Sequence, residues 1–160
     1  MQYWIGLGSN LGDRLENLKL ARQALNRFGT IQCSSPVYQT AAWGKKDQPP
    51  FLNAVVLLES GLNPFRLLRK LKQTEVRLGR TKSEHWGPRK IDLDILEWEG
   101  TPVETSILKI PHPLLKQRVF VLQPMAWIDQ QFTFRSGEKI ATLLQQLEGH
   151  DDCQLLIEKW

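Results

Sequence analysis

The residues best suited to chemistry lie in Trp86-Gly87-Pro88-Arg89-Lys90-Ile91-Asp92-Leu93-Asp94. On a β-strand, Ile91, Leu93 and Ile95 point to one face while Asp92 and Asp94 point to the other, about 7 Å apart. Two carboxylates so placed repel each other unless a cation sits between them. Hard oxygen donors of this kind suit magnesium, which keeps several waters and completes its shell from phosphates. The solvated polar face of an amphipathic strand would give the same alternation. The neighbours tip the reading toward a metal: between Arg77 and Lys90 the chain carries Arg77, Arg80, Lys82, Arg89 and Lys90 against one acid, Glu84. Guanidinium forks pair with phosphate oxygens, and metal on one side with arginines on the other is what phosphoryl transfer requires.

Glu75 falls among the apolar positions of a helix face formed by Phe65, Leu68, Leu71 and Leu78. A buried carboxylate is costly without a partner, so an arginine or a ligand is expected beside it. Gly6-Leu7-Gly8-Ser9-Asn10-Leu11-Gly12 does not match the dinucleotide fingerprint, because its third glycine comes one position late. A tight turn between strand and helix is the reading it supports. His112, within Pro111-His112-Pro113 and upstream of Arg118, reads by itself as a loop histidine held by a hydrogen bond. Walker, zincin and protein-kinase signatures are absent.

These residues need a frame. An apolar run from Tyr3 to Leu7 predicts a buried strand, and Asp13 with Glu16 predicts a helix N-terminus, its core positions Leu18, Ala21, Leu25 and Phe28, with Gly29 as its stop. Strands are expected from about Ile31 to Gln39 and from Phe51 to Glu59. Asn63-Pro64 opens a second helix that runs to about Leu78, where Gly79 ends it. Ile91 to Trp98 is the carboxylate strand, followed by a Glu99-Gly100 turn and a short return strand. Beyond Pro111 and Pro113 a strand is expected at Phe132–Phe134 and a third helix at Lys139–Glu148. Strand–helix–strand–strand–helix–strand is the pattern of an α+β, ferredoxin-like βαββαβ sandwich with extra C-terminal elements. Helices would cover one face of its antiparallel sheet and leave the other to loops and ligand.

The 160 residues suit a single domain, with no repeat or linker to divide residues 1–160. Twenty-one Lys and Arg against 17 Asp and Glu give a net charge of +4, a mild basic excess that fits an anionic ligand. Cys33 and Cys153 are too few and too far apart for a disulfide framework or a zinc site, which points to a reducing cytoplasm. MQYWIGLGSN lacks the features of a signal peptide, and no apolar run is long enough to span a membrane.

Taken together, the chain resembles the 6-hydroxymethyl-7,8-dihydropterin pyrophosphokinases of folate synthesis along nearly its whole length. The matching stretches are Leu7-Gly8-Ser9-Asn10-Leu11-Gly12, Phe51-Leu52-Asn53-Ala54, Gly79-Arg80, Trp86-Gly87-Pro88-Arg89 with Asp92-Leu93-Asp94, Pro111-His112, Arg118-x-Phe120-x-Leu122 and Lys159-Trp160. The resemblance implies transfer of pyrophosphate from ATP to the pterin hydroxymethyl oxygen, with release of AMP. It implies two magnesium ions on Asp92 and Asp94, and catalytic cations at Arg80, Lys82 and Arg89. ATP would meet Glu75, Trp86, Ile95, His112 and Arg118. The pterin would meet Thr40, Trp43, Phe51, Asn53 and Phe120, two aromatic rings enclosing a flat heterocycle whose edge Asn53 reads. The partners so implied are small molecules alone, with no nucleic acid and no membrane, acting on a monomer.

Three departures bear on loop behaviour. Thr40 is followed by Ala41-Ala42 where relatives often carry a second proline, Ser83 follows Lys82 in a loop about one residue short, and Pro113 replaces an aromatic known in some relatives. An RNA-binding module on the same fold would need exposed aromatics on its central strands, whereas Asp92 and Asp94 would repel phosphate there. A paralogue that has lost its activity would be expected to lack some of Asp92, Asp94, Arg89 and Asn53, and all four are present.

Overall fold

The computed structural model describes residues 1–42, 47–81, 87–149 and 153–160. Strand β1 (Gln2–Ser9) lies between β4 (Phe51–Glu59) and β5 (Asp92–Trp98) and is antiparallel to both. Such a central strand is covered on both faces, and accordingly only Gln2 and Gly6 in β1 retain appreciable exposure. The region expected as one strand is two: β2 (Thr30–Ser34) pairs with the far half of β4, and β3 (Val37–Thr40) with its beginning. Pro36 has no N–H for the ladder, and Ser35 bridges the break. Its N–H donates to the Val55 carbonyl at 2.9 Å, while its hydroxyl accepts from Val55 N at 2.9 Å. β4 thus separates β1 from β2 and β3, the split arrangement of the expected ferredoxin-like sandwich.

Helices α1 (Arg14–Leu25) and α2 (Pro64–Arg77) cover one face of the sheet. Leu18, Ala21 and Leu25 from α1 and Leu67 and Leu71 from α2 pack there on Tyr3, Ile5, Leu7, Leu93 and Ile95. Both N-termini are capped as expected: Asp13 Oδ1 accepts from Glu16 N, and Asn63 Oδ1 from Arg66 N, each at 3.0 Å. The two C-termini differ. Gly79, at φ +89°, closes α2 through a Schellman motif in which Gly79 N donates to Val76 O and Arg80 N to Glu75 O. By contrast α1 ends at Asn26, and Gly29 is needed for another reason: a Cβ there would lie 2.0 Å from the Glu59 carbonyl oxygen.

The second face is not left to loops and ligand alone. Helices α3 (Val119–Ile128) and α4 (Ile140–Gln146) close part of it over Trp4, Val55 and Leu96. Phe132–Phe134 is not a strand. Only Thr133 bridges, to Lys139, and Phe132 stacks edge-on against Trp4 and Phe134. The return strand β6 (Val103–Glu104) pairs with β7 (Lys109–Ile110) rather than with β5. β8 (Cys153–Ile157) adds an antiparallel edge beside β3, and Trp160 Nε1 donates to Ser35 O at 2.8 Å under the guanidinium of Arg22. Among the described residues no helix is long and apolar enough to cross a membrane.

Candidate active site

A cavity of about 860 Å³ opens where α3 and the following residues leave the second face of the sheet uncovered. Its floor is the stretch Gly6–Gly8 of strand β1, which runs two residues past the expected Tyr3–Leu7 strand; of Gly6, Gly8 and Gly12 only Gly12, at φ +66°, has turn geometry. Gly6 sits in register between Val55 and Asp94, and Gly8 between Asn53 and Asp92. The absence of side chains at these two places opens the space between β4 and β5. A Cβ on Gly8 would come within 3.1 Å of Asn53 Oδ1.

On the β5 side, strand alternation sends Leu93 and Ile95 into the helix-side core and turns Asp92 and Asp94 into the cavity. Arg80 Nη1 donates to Asp92 Oδ1 at 2.5 Å and lies 2.7 Å from Glu75 Oε2, while Arg89 Nη1 donates to Asp92 Oδ2 at 2.8 Å. The Schellman turn aims Arg80, since its backbone N–H is tied to the carbonyl of the same Glu75. Arg89 is aimed by Asn10, whose N–H donates to Arg89 O and whose Oδ1 accepts from Arg89 N at 2.8 Å. The Asn10 amide also donates to Gln48 Oε1 and Pro49 O, joining three loops at the cavity edge.

Glu75 is buried as expected and fully partnered. It accepts from Lys72 Nζ and the Leu93 amide, each at 2.7 Å, and its Oε2 is ion-paired with Arg80 Nη1 at 2.7 Å. Lys72 also donates to Leu93 O at 2.9 Å and stands 3.4 Å from Asp94 Oδ1. Burial would raise the pKa of Asp92, but Arg89, Lys72 and Arg80 hold it below its ordinary value. Burial raises that of Glu75, offset only in part by Lys72. Lys72 and Arg80 both hold their protons more firmly than usual, burial being outweighed by the surrounding carboxylates. His112 is pushed down by burial against the pull of Asp94, and burial likewise lowers Arg118.

On the β4 side the cavity is lined by Thr40, Phe51, Asn53 and Phe120. Asn53 is buried with its amide donating to Thr40 Oγ1 at 2.7 Å. The guanidinium of Arg89 lies 5.6 Å from the Phe51 ring centre, and that of Arg118 5.5 Å from Phe120. The acidic and aromatic halves of the cavity therefore share arginines.

Residues 4–130 match the model of the 7,8-dihydro-6-hydroxymethylpterin-pyrophosphokinase (HPPK) family. The chain belongs to the HPPK family. It is 44% identical over 130 residues to the 2-amino-4-hydroxy-6-hydroxymethyldihydropteridine pyrophosphokinase of Bacillus subtilis, covering 80% of this chain and 78% of the relative. To the protein of the same name from Methylorubrum extorquens it is 38% identical over 147 residues, covering 91% and 92% of the two chains. A solved HPPK-DHPS in complex with substrates superimposes with a TM-score of 0.73 over 91% of this chain at 14% identity, so it speaks for the fold; this chain spans 43% of that one.

Of the HPPK residues expected from the sequence, the structure gathers Thr40, Phe51, Asn53, Glu75, Arg80, Arg89, Asp92, Asp94, His112, Arg118 and Phe120 around one cavity. Ile95 is not part of its lining: its side chain points with Leu93 into the core, 3% exposed, and Leu96 lines the cavity in its place. Trp43, Lys82 and Trp86 lie outside the described residues. Sequence reasoning missed Lys72, the bracing role of Asn10 and the floor glycines. The signal for Lys72 was its position three residues before Glu75, one helical turn away on the same face.

Proposed function

We propose that this cavity transfers the pyrophosphoryl group of magnesium-ATP to the hydroxymethyl oxygen of 6-hydroxymethyl-7,8-dihydropterin and releases AMP. The supporting observation is the juxtaposition in one cavity of a carboxylate–cation cluster and an amide flanked by aromatic rings. Phe51 and Phe120 supply apolar surface for the two faces of a planar pterin, and Asn53, steadied by Thr40, supplies hydrogen bonds for its edge. The relatives from Bacillus subtilis and Methylorubrum extorquens carry this activity in their names.

Asp92 and Asp94 are hard oxygen donors turned to the same side, and together they already draw three cationic side chains. That donor set fits magnesium. Among the described residues no group of three or more His, Cys, Asp and Glu is placed to hold a metal, so its other ligands would be phosphate and water. Bound there, magnesium would neutralise phosphate charge and make the β-phosphorus more electrophilic. Arg80, Arg89 and Arg118 provide fixed positive charge for the phosphates, and half-buried His112 provides an imidazole for a hydrogen bond. Gly6 and Gly8 let both substrates lie close to the sheet, so that positioning carries much of the catalysis. Small-molecule substrates, a monomeric chain and a cytoplasmic setting complete this reading; the last agrees with free thiols at Cys33 and Cys153.

The test is incubation of the purified chain with magnesium-ATP and the pterin alcohol, with the nucleotide products separated. Pterin-dependent AMP, lost in Asp94→Ala, is the expected result. ADP in its place would mean transfer of a single phosphoryl group and overturn the proposal.

A further inference from the structure

Both oxygens of Asp92 are occupied by guanidiniums, Oδ1 by Arg80 at 2.5 Å and Oδ2 by Arg89 at 2.8 Å. Lys72 Nζ stands 3.9 Å from Asp92 Oδ1 and 3.4 Å from Asp94 Oδ1, a place where a positive charge is attracted by both acids. Its firmest bonds go elsewhere, to Glu75 Oε1 at 2.7 Å and to the Leu93 carbonyl at 2.9 Å. This distinguishes Lys72 from the two arginines. Incoming phosphates give Arg80 and Arg89 new partners to exchange for Asp92, whereas the tether to Glu75 and the backbone keeps the ammonium beside Asp94 whether or not a nucleotide is present.

We propose that Lys72 is a resident counter-cation that keeps a bare divalent ion off Asp92 and Asp94 and makes metal binding depend on the nucleotide. The proposal rests on the magnesium reading of the two aspartates. A divalent ion arriving alone meets a fixed ammonium and two guanidiniums around two acids, a site already neutralised from within. Arriving with a triphosphate, it brings the negative charge that the three side chains then share. Coupling of this kind is reciprocal, so metal and nucleotide each tighten the binding of the other. Glu75 is the positioning residue of the device, since it fixes Lys72 and Arg80 together.

The experiment titrates Mn²⁺ into the full chain with and without a non-hydrolysable ATP analogue, following protein-bound Mn²⁺ by water-proton relaxation. Lys72→Met should bind Mn²⁺ alone about tenfold or more tightly than wild type, the scale on which one adjacent charge alters a carboxylate's affinity for protons. Lys72→Arg, which restores the charge, should return to the weak wild-type value, and the gap between Met and wild type should narrow with the analogue bound. Lys72→Gln keeps a polar end for Glu75 and must move in the same direction, which preserves the test if the Met variant folds poorly. Nucleotide-free Mn²⁺ affinity unchanged in both neutral variants would overturn the role of Lys72. Analogue-dependent Mn²⁺ binding unaffected by Asp94→Asn would instead overturn the metal reading beneath it.

Discussion

Replacing Glu75 separates two things that this side chain does. Its Oε1 accepts from the amide of Leu93, a residue with no exposure at all, and its charge faces Lys72 and Arg80. In Glu75→Leu the Leu93 N–H loses its acceptor in a dry place, which costs about 1–3 kcal/mol. Lys72 keeps the Leu93 carbonyl and Asp94, and Arg80 keeps Asp92, so neither cation is stranded and the larger penalty for breaking a buried pair does not apply in full. In Glu75→Gln the acceptor survives. Burial already raises the affinity of Glu75 for a proton, so a neutral isostere should cost roughly 1 kcal/mol or less. At about 2–4 °C per kcal/mol for a domain of this size, thermal unfolding should fall by about 2–12 °C for Leu and no more than about 4 °C for Gln, with Leu always the lower. The pH dependence has a definite sign. A carboxyl whose folded pKa is raised adds stability that is complete below its ordinary value of 4.5 and lost as pH rises through the folded value. Wild type should therefore gain on Glu75→Gln as the pH falls from 7 toward 4.5. Equal melting temperatures for Leu and Gln would refute the claim that the Leu93 amide is what Glu75 chiefly satisfies.

Gly8→Ala should weaken pterin binding roughly tenfold, equivalent to about 1.4 kcal/mol, because the new methyl meets Asn53 Oδ1 at 3.1 Å and the Phe51 ring at 3.7 Å; an unchanged pterin dissociation constant by calorimetry would count against Asn53 as its reader. Gly29→Ala should lower the urea midpoint by an amount matching about 2 kcal/mol or more, since its Cβ would overlap the Glu59 carbonyl and backbone must shift. Burial pushes the Cys153 thiol up to about 11, so in a Cys33→Ser background its alkylation by iodoacetamide should climb about tenfold per pH unit from pH 7 to 10. A rate that levels off near pH 9 would show an ordinary thiol. In linkage terms the protonated Cys153 adds stability below its ordinary value of 9.0 that is lost as pH rises through about 11.

Legibility in the sequence followed local chemistry. Asn63-Pro64 and Gly79 bracket α2 in the sequence as in the structure, and the alternation of Ile91 to Ile95 places both aspartates on one face, which is the cavity side. Helix α3 was hidden because its sequence VFVLQPMAWI is apolar on every side, has no side-chain cap and carries Pro124, which cannot donate to the carbonyl four residues earlier. β8 is an edge strand with Leu155 and Leu156 exposed, so its residues show no buried-face alternation. Gly6 falls within the expected Tyr3–Leu7 strand, but for Gly8 glycine signals a turn as readily as close approach across a strand, and only the register with Asn53 and Asp92 decides between them. The resemblance assigns Ile95 to the nucleotide site, whereas its alternation with Asp94 turns its side chain to the core.

The residues missed by sequence reasoning bear on how such a site exists without its ligands. A cavity meant for a triphosphate needs cations, and one meant for magnesium needs acids; each group alone would repel itself and cost desolvation. Here Glu75, Asp92 and Asp94 face Lys72, Arg80 and Arg89, three acids to three bases, and each set neutralises the other. On the proposed reading the ligands would enter by exchange of partners: phosphates would take over from Asp92 at Arg80 and Arg89, and metal would take their place at the acids while Lys72 stays. Such exchange keeps net charge in the cavity near zero at each stage only if metal and phosphate arrive together. On the proposed reading that requirement would fall hardest on Lys72, whose bonds to Glu75 and the Leu93 carbonyl would hold it beside Asp94 when an ion arrived alone.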